Sequence, residues 1–468
     1  MLAAAAELRR RRALARDPLR HVSKVWEGHE VKRRLHAYFE LDALGTTVRT
    51  EVLAGVTTFL TMAYIIVVNP LILGDAGVPL DGALFATVMV AAVSSILMGL
   101  YAKLPLALAP GMGLNAYFAY TLVLGQGLSW QTALAAVFVS GLVFIALSWP
   151  GWNVRERIVR AVPAGVRIGV AAGIGLFLAL IGMVNAGVIV ASPATVVGFG
   201  GFSTSFVLFF VGLVLAAVFL IRKVPGALIL SILAVSLLAF LAQSVGWLEG
   251  AVFVPTALVA APSLSTFLQL DLVAVLSASL IAPIFALLFT DMFDSISTFV
   301  GVTKVAGLVD EEGHPKNAGK ALLVDGISTT ISGLFGSSPG TAYIESAAGV
   351  EQGGRSGLTA VVAGALFLPF MFVSPLLGLI PAVATAPVLV LVGLFMMSVL
   401  RDVDWSDYEV VVPAFVAMIA IPFTYSITEG IVFGFIAHVV IRVLNGKAGE
   451  IGGVLWVIFA FSVAMLLL

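Results

Sequence analysis

The 468-residue chain has no cysteine and few charges, with 11% of its residues acidic or basic. Without cysteine there is no disulfide framework, no thiolate zinc site and no thiol nucleophile. Soluble domains carry roughly a quarter charged residues, whereas here 60% are hydrophobic and mean hydropathy is +1.10. That scarcity excludes a water-soluble globule and leaves a polytopic membrane protein. Period-2 alternation is also missing, which excludes a membrane β-barrel. There is no phosphate loop, no His/Glu metal cluster and no nucleophile with a paired base, so neither an enzyme nor a cofactor is expected. The first apolar stretch begins near Glu51, beyond the reach of a cleavable signal peptide.

Apolar runs do occur, near 52–69, 83–101, 105–123, 131–149, 162–182, 205–221, 225–245, 272–300, 319–336, 338–350, 357–378, 382–400, 409–423 and 426–443. They predict an all-α bundle of about fourteen transmembrane segments, into which 47 Gly and 20 Pro fit because neighbouring helices re-satisfy the backbone. Basic residues test the count. With the N-terminus inside, the inner regions hold the arm, Lys103, Arg155, Arg157, Arg160, Arg167, Arg222, Lys223, Lys304, Lys316, Lys320, Arg355, Arg401, Arg442 and Lys447. The outer loops near 70–82, 124–130, 183–204, 246–271 and 379–381 hold none. This one-sidedness places both ends of the bundle in the cytoplasm. Residues 1–50 carry 11 of the 25 Lys and Arg against 6 acids and read as a basic arm near anionic lipid. Orientation explains that charge, so nucleic acid is not expected as a partner. The stretch 451–468 is either a fifteenth span or an interfacial helix.

An internal similarity divides the bundle. Pro163-Ala164, Val170 and Gly175-Leu176-Phe177 recur 218 residues later as Pro381-Ala382, Val388 and Gly393-Leu394-Phe395, in the fifth and twelfth segments. Seven segments per repeat is odd, so the halves are inverted in the membrane, and such transporters bind substrate where equivalent helices break. The third segment, with Pro105, Pro110, Gly111 and Gly113, and the tenth, Ser337 to Ser346, are both broken, and three plus seven is ten.

The polar residues beside these breaks are the candidates for chemistry. Glu345 lies inside the second break, as a substrate contact or a cap for the following half-helix. Asp291, Asp294, Ser295 and Thr298 share one face of the eighth segment. Two neighbouring carboxylates repel when both are ionised, which suits them to exchange a coupling proton. Asn115 offers a donor and an acceptor for a heterocycle edge, or an interhelical bond. Tyr117, Phe118, Phe293 and Tyr343 are candidates to stack on a planar substrate, and Gly113 lets backbone approach it. Asp325 and Glu51 read as structural or interfacial, His438 as a packed or interfacial histidine rather than a proton carrier, and Lys304 and Arg355 as cytoplasmic anchors. A hydrolytic carboxylate pair is disfavoured because Asp291 and Asp294 share one helix.

Ala109-Pro-Gly-Met-Gly-Leu-Asn115-Ala-Tyr117, Phe289-Thr-Asp291-Met-Phe-Asp294-Ser295, Thr341-Ala-Tyr-Ile-Glu345-Ser346-Ala-Ala-Gly349 and Gly353-Gly-Arg355-Ser-Gly357-Leu-Thr359 stand in order along the chain. With Arg49 to Gly55, Thr61 to Tyr64 and Asn69-Pro70, they resemble the AzgA-like adenine/guanine/hypoxanthine permeases of the nucleobase permease superfamily. Beyond the basic cytoplasmic arm over 1–50, which is read from its charge, the resemblance implies a core domain over 51–149 and 251–378. It implies a gate domain over 150–250 and 379–445, followed by an apolar tail over 446–468. It further implies proton-coupled purine uptake through the inner membrane, no cofactor, and a homodimer. Carried over, Asn115, Asp291 and Glu345 are polar substrate contacts and Asp294 is an accessory acid. Uracil, xanthine or anion transport on the same fold, or an uncoupled facilitator, is the alternative. Two features depart from the family: a longer polar arm before about residue 38, and Pro339-Gly340 beside Glu345.

Overall fold

Short polar side chains and prolines set where the helices begin. Thr47, Ser129, Ser203, Ser356, Asp407 and Ser426 each accept a first-turn backbone N–H, which satisfies donors that a helix start otherwise leaves open. Pro163 and Pro381, the two repeat-related prolines, stand at the N-caps of equivalent helices. The structure, a computed structural model, describes residues 33–149, 162–310 and 315–467. Most of the basic arm, together with Arg155, Arg157 and Arg160, lies outside the described residues.

The first segment is α1 (Val48–Met62) and α2 (Ile65–Asp75), joined through Ala63 and Tyr64. The second is α3 (Leu80–Leu97), drawn out by a π-helical turn over Met98–Ala102. The third is strand β1 (Leu108–Pro110) and α4 (Met112–Ala116), which runs on as a π-helix over Tyr117–Gly125. Then come α5 (Trp130–Ser148), α6 (Ala164–Asn185), a hairpin of β2 (Ile189–Ser192) and β3 (Val196–Phe199), α7 (Thr204–Ile221) and α8 (Ala227–Ser244). The second half repeats the plan: α9 (Ile281–Ala306), α10 (Ala318–Phe335), β4 (Gly340–Ala342) with α11 (Ser346–Glu351), α12 (Gly357–Phe367), α13 (Ala382–Met396), α14 (Tyr408–Thr424) and α15 (Ile427–Leu444). Among the described residues nine helices are long and apolar enough to cross a membrane, and three shorter apolar helices join them.

Two boundaries differ from the sequence reading. The eighth segment becomes a long helix only at Ile281, because Asp271 caps a short turn and Ser277 bonds Ser279 before it. The eleventh stops as an α-helix at Phe367, where Pro369 and Pro375 force tighter turns over Leu368–Phe372 and Ser374–Leu379. The tail forms α16 (Gly453–Leu467), which packs on α15 and sets Phe461 against Phe285 of α9, ring centroids 5.4 Å apart. Its 15 residues span about 22 Å, short of the roughly 30 Å hydrocarbon core.

Two contacts lie on a pseudo-two-fold axis. At the crossing of α6 and α13, a Cβ on Gly175 would collide with the Gly393 carbonyl, and a Cβ on Gly393 with the Gly175 carbonyl. These glycines are 218 residues apart, the repeat offset. At the breaks, β1 pairs antiparallel with β4, with Ala109 opposite Thr341. Gly111 N–H donates to the Pro339 carbonyl at 2.8 Å, and Tyr343 N–H donates to the Ala107 carbonyl at 3.0 Å. The shift from Gly111 to Tyr343 equals that from Ala107 to Pro339, so one bond is the symmetry image of the other. The unwound backbone thus finds partners inside the protein, as membrane depth requires. The bundle is a 7+7 inverted repeat with both broken segments at its centre.

Packing sorts the helices into two sets. In the first, α9 lies on α5 and α11, α10 on α5 and α3, and α12 on α1 and α3. In the second, α6 lies on α13, α14 and α15, and α7 on α8 and α13. Glu51, fully buried in α1, accepts from the Arg355 and Ser356 backbone N–H groups and the Thr359 hydroxyl, and so caps α12 within the first set.

Candidate functional site

Gly336, at φ +98°, ends α10 and turns the chain into β4, a conformation an L side chain would strain. Beyond β4 the chain carries Tyr343 and Glu345 to the start of α11. Glu345 is half-buried, and its Oε1 accepts from the Tyr64 hydroxyl at 2.7 Å. Tyr64 sits in the α1–α2 joint, so a break in the first segment holds the acid of the tenth. Tyr343 is buried and donates its hydroxyl to the Pro110 carbonyl. It fastens one broken segment to the other.

From α9 come Asp291, 1% exposed, and half-buried Asp294. Asp291 Oδ2 accepts from the Thr329 hydroxyl of α10, while Oδ1 has no partner. Asp294 lies in the field of Glu345. The Ser295 hydroxyl meets that of Thr341 at 2.6 Å, joining α9 to β4. Asp325 of α10 is fully buried, hydrogen-bonds through neither oxygen and lies in the fields of Asp291 and Asp294. Its sequence position suggested a structural acid; the fold sets it against the acid group. A buried unpaired carboxylate is costly, so this group suits an occupant that brings N–H donors or protons.

Asn115, fully buried on α4, donates through Nδ2 to Asn69 Oδ1 at 3.1 Å, and its Oδ1 has no partner. Asn69 in turn donates to Thr87 and Ser337. Gly113 has its open side against Ile174 of α6, which a Cβ there would strike. Phe293 packs on Phe289 at 4.6 Å, and the Arg167 guanidinium lies 5.6 Å from its ring centroid. Tyr117 is buried and bonds Thr428 across to α15 at 2.6 Å. The fold therefore brings Asp291, Asp294, Glu345 and Tyr343 together, with Asn115 and Gly113 on α4 and Phe293 on α9 between the two aspartates. Two surface clefts, of about 430 and 510 Å³, are lined by other residues. Among the described residues no set of three His, Asp or Glu side chains is placed to hold a metal ion.

Sequence reasoning gave no role to Tyr64, Asn69 or Thr329. Asn69 had a visible signal, the one amide in the first segment, whereas the Tyr64 hydroxyl stands among those of Thr57, Thr58 and Thr61. Thr329 had none, since Ser and Thr are common along α10.

The sequence matches the permease family Xan_ur_permease over residues 49–433. Its relatives include the adenine permease AdeP of Escherichia coli, 43% identical over 419 residues that cover 89% of this chain and 92% of that protein. The guanine/hypoxanthine permease PbuG of Bacillus subtilis is 41% identical, covering 91% and 98%. Among solved structures, the transmembrane domain of a cyanobacterium bicarbonate transporter, BicA, superposes with a TM-score of 0.60 at 17% identity, covering 82% of this chain and 97% of that one. At that identity the likeness concerns the fold alone. The chain is a multi-pass membrane transporter and not an enzyme, and it belongs to this permease family.

Proposed function

We propose that the chain imports purine nucleobases across the inner membrane, coupled to protons, by alternating access. One observation carries the reading: around two symmetric breaks stand three acceptors suited to base N–H groups, namely Glu345 held by Tyr64, the unpartnered Asp291 Oδ1 and the unpartnered Asn115 Oδ1. Relatives named for adenine and for guanine/hypoxanthine transport support the substrate class. Buried acceptors without protein donors invite either a base edge or a proton, which links the two species physically. Asp291 or Glu345 accepts the coupling proton, and Asp294 modulates them through its field.

The moving parts in this reading are the two packing sets. A core of segments 1–4 and 8–11 carries the acids, and a gate of segments 5–7 and 12–14 slides against it, with the N-terminus cytoplasmic and two copies forming a dimer. No cofactor takes part. The test is uptake of labelled adenine, guanine and hypoxanthine into proteoliposomes with and without an inward proton gradient. Gradient-stimulated uptake, competed by purines and not by uracil, is expected. Uptake indifferent to the gradient replaces the symporter by a facilitator, and uracil or xanthine uptake moves the substrate class.

A further inference from the structure

Arg167 lies on α6 with Val170 and Ile174, and positions i, i+3 and i+7 share one helix face. Ile174 fills the space beside Gly113 of α4, so this face looks onto the broken third segment. Arg167 stands two turns nearer the N-terminus of α6, about 10 Å from Ile174 along the helix axis. An arginine serving only as an anchor extends its head to water or lipid phosphate. This one is half-buried, with Nε enclosed and without an acceptor, and among the described residues no carboxylate pairs with it. Its guanidinium lies against the Phe293 ring, between Asp291 and Asp294 in sequence. A half-buried guanidinium that meets an aromatic ring of the opposing helix set and no carboxylate calls for a function.

We propose that Arg167 and Phe293 form the cytoplasmic gate of the binding site. Arg167 rides on the α6 set of helices and Phe293 on the α9 set, so their contact closes the site when the sets approach and opens it when they part. Both groups are flat, and a planar heterocycle stacks well on either. A leaving base passes between them, exchanging one flat partner for another instead of meeting an apolar barrier. This second step rests on the purine reading; the gate itself does not.

The absence of cysteine makes the gate measurable. Val170, one turn from Arg167 and 3% exposed, is the position for a single thiol. In inside-out vesicles, Val170→Cys is expected to react slowly with a membrane-impermeant maleimide. Adding Arg167→Gln should speed labelling about tenfold, the effect of losing a desolvated cation–aromatic contact. Arg167→Lys, which keeps a cation over the ring, should stay near the parent rate. Equal rates with and without Arg167→Gln overturn the gate. If that variant fails to fold, Phe293→Leu takes its place with the same expectation. Labelling is repeated with saturating adenine or hypoxanthine, which should slow it. Acceleration without purine protection keeps the gate and removes the purine reading, whereas protection without acceleration keeps the purine and removes the gate.

Discussion

The two broken segments share one backbone and carry different chemistry. Under the shift that relates their paired bonds, Gly111 corresponds to Tyr343 and Gly113 to Glu345. In the first half these positions are bare: a Cβ at Gly113 would strike Ile174, and one at Gly111 would meet Thr341 at 2.6 Å. In the second half they carry a strap to Pro110 and a carboxylate held by Tyr64. Symmetry supplies the cradle, while the carboxylates beside it come from the second half and the first half contributes only the Asn115 amide. A planar base has chemically distinct edges, and an uneven set of acceptors suits it better than a symmetric pair.

The largest expected effect comes from erasing the difference. Glu345→Gln and Asp291→Asn each keep the shape and remove a charged acceptor, a loss of about 3 kcal/mol or roughly 100-fold in uptake. Wild-type uptake by both removes these acids from the site. The next test concerns what the halves share. Gly175→Ala and Gly393→Ala crowd the same gap from opposite sides, so each should cost about 1–3 kcal/mol of stability, and by the same amount. Unequal loss in thermal melting argues against a two-fold crossing. Smaller are the two phenolic contacts. Tyr64→Phe should weaken base binding by about tenfold through the freed Glu345, while Tyr343→Phe, which leaves the acid in place, should lower melting more than affinity. Titration calorimetry beside melting separates them.

The smallest effect lies outside the membrane, where Lys103 bonds Glu40 at 2.7 Å and holds its carboxyl below the ordinary value. A lowered folded-state value means this contribution is complete above the ordinary carboxylate range and fades as pH falls through the lowered one. Lys103→Met should therefore melt slightly below the parent near neutrality, and the gap should close as pH falls through the lowered Glu40 value. The pair is exposed, so only a small gap is expected.

The bundle was readable from the sequence because its determinants are local. Apolar runs mark the segments, and Pro163 and Pro381 mark the two starts that the fold indeed makes equivalent. The breaks were readable because proline and glycine act on their own backbone. Partners across the fold were not. Asp325 looked structural because nothing near it in sequence reveals that α10 turns it toward Asp291. Arg167 counted in sequence only as one of the basic residues expected inside, and only the packing of α6 on α9 sets it against Phe293. Where α9 begins was misjudged by nine residues, since Leu272 to Leu280 is apolar without being helical beyond short turns.

The pairing of β1 with β4 also bears on how the chain is made. Leu108 to Pro110 enters the membrane long before Gly340 to Ala342 exists, and at about 5–20 residues per second the interval is roughly 10–50 s. Throughout it the third segment has unwound backbone with no strand to pair with. That segment must wait in a hydrated or otherwise shielded place, and the centre of the bundle closes only when the tenth arrives. A chain truncated before β4 would leave the same strand permanently open, which marks it for quality control however well its first nine segments insert.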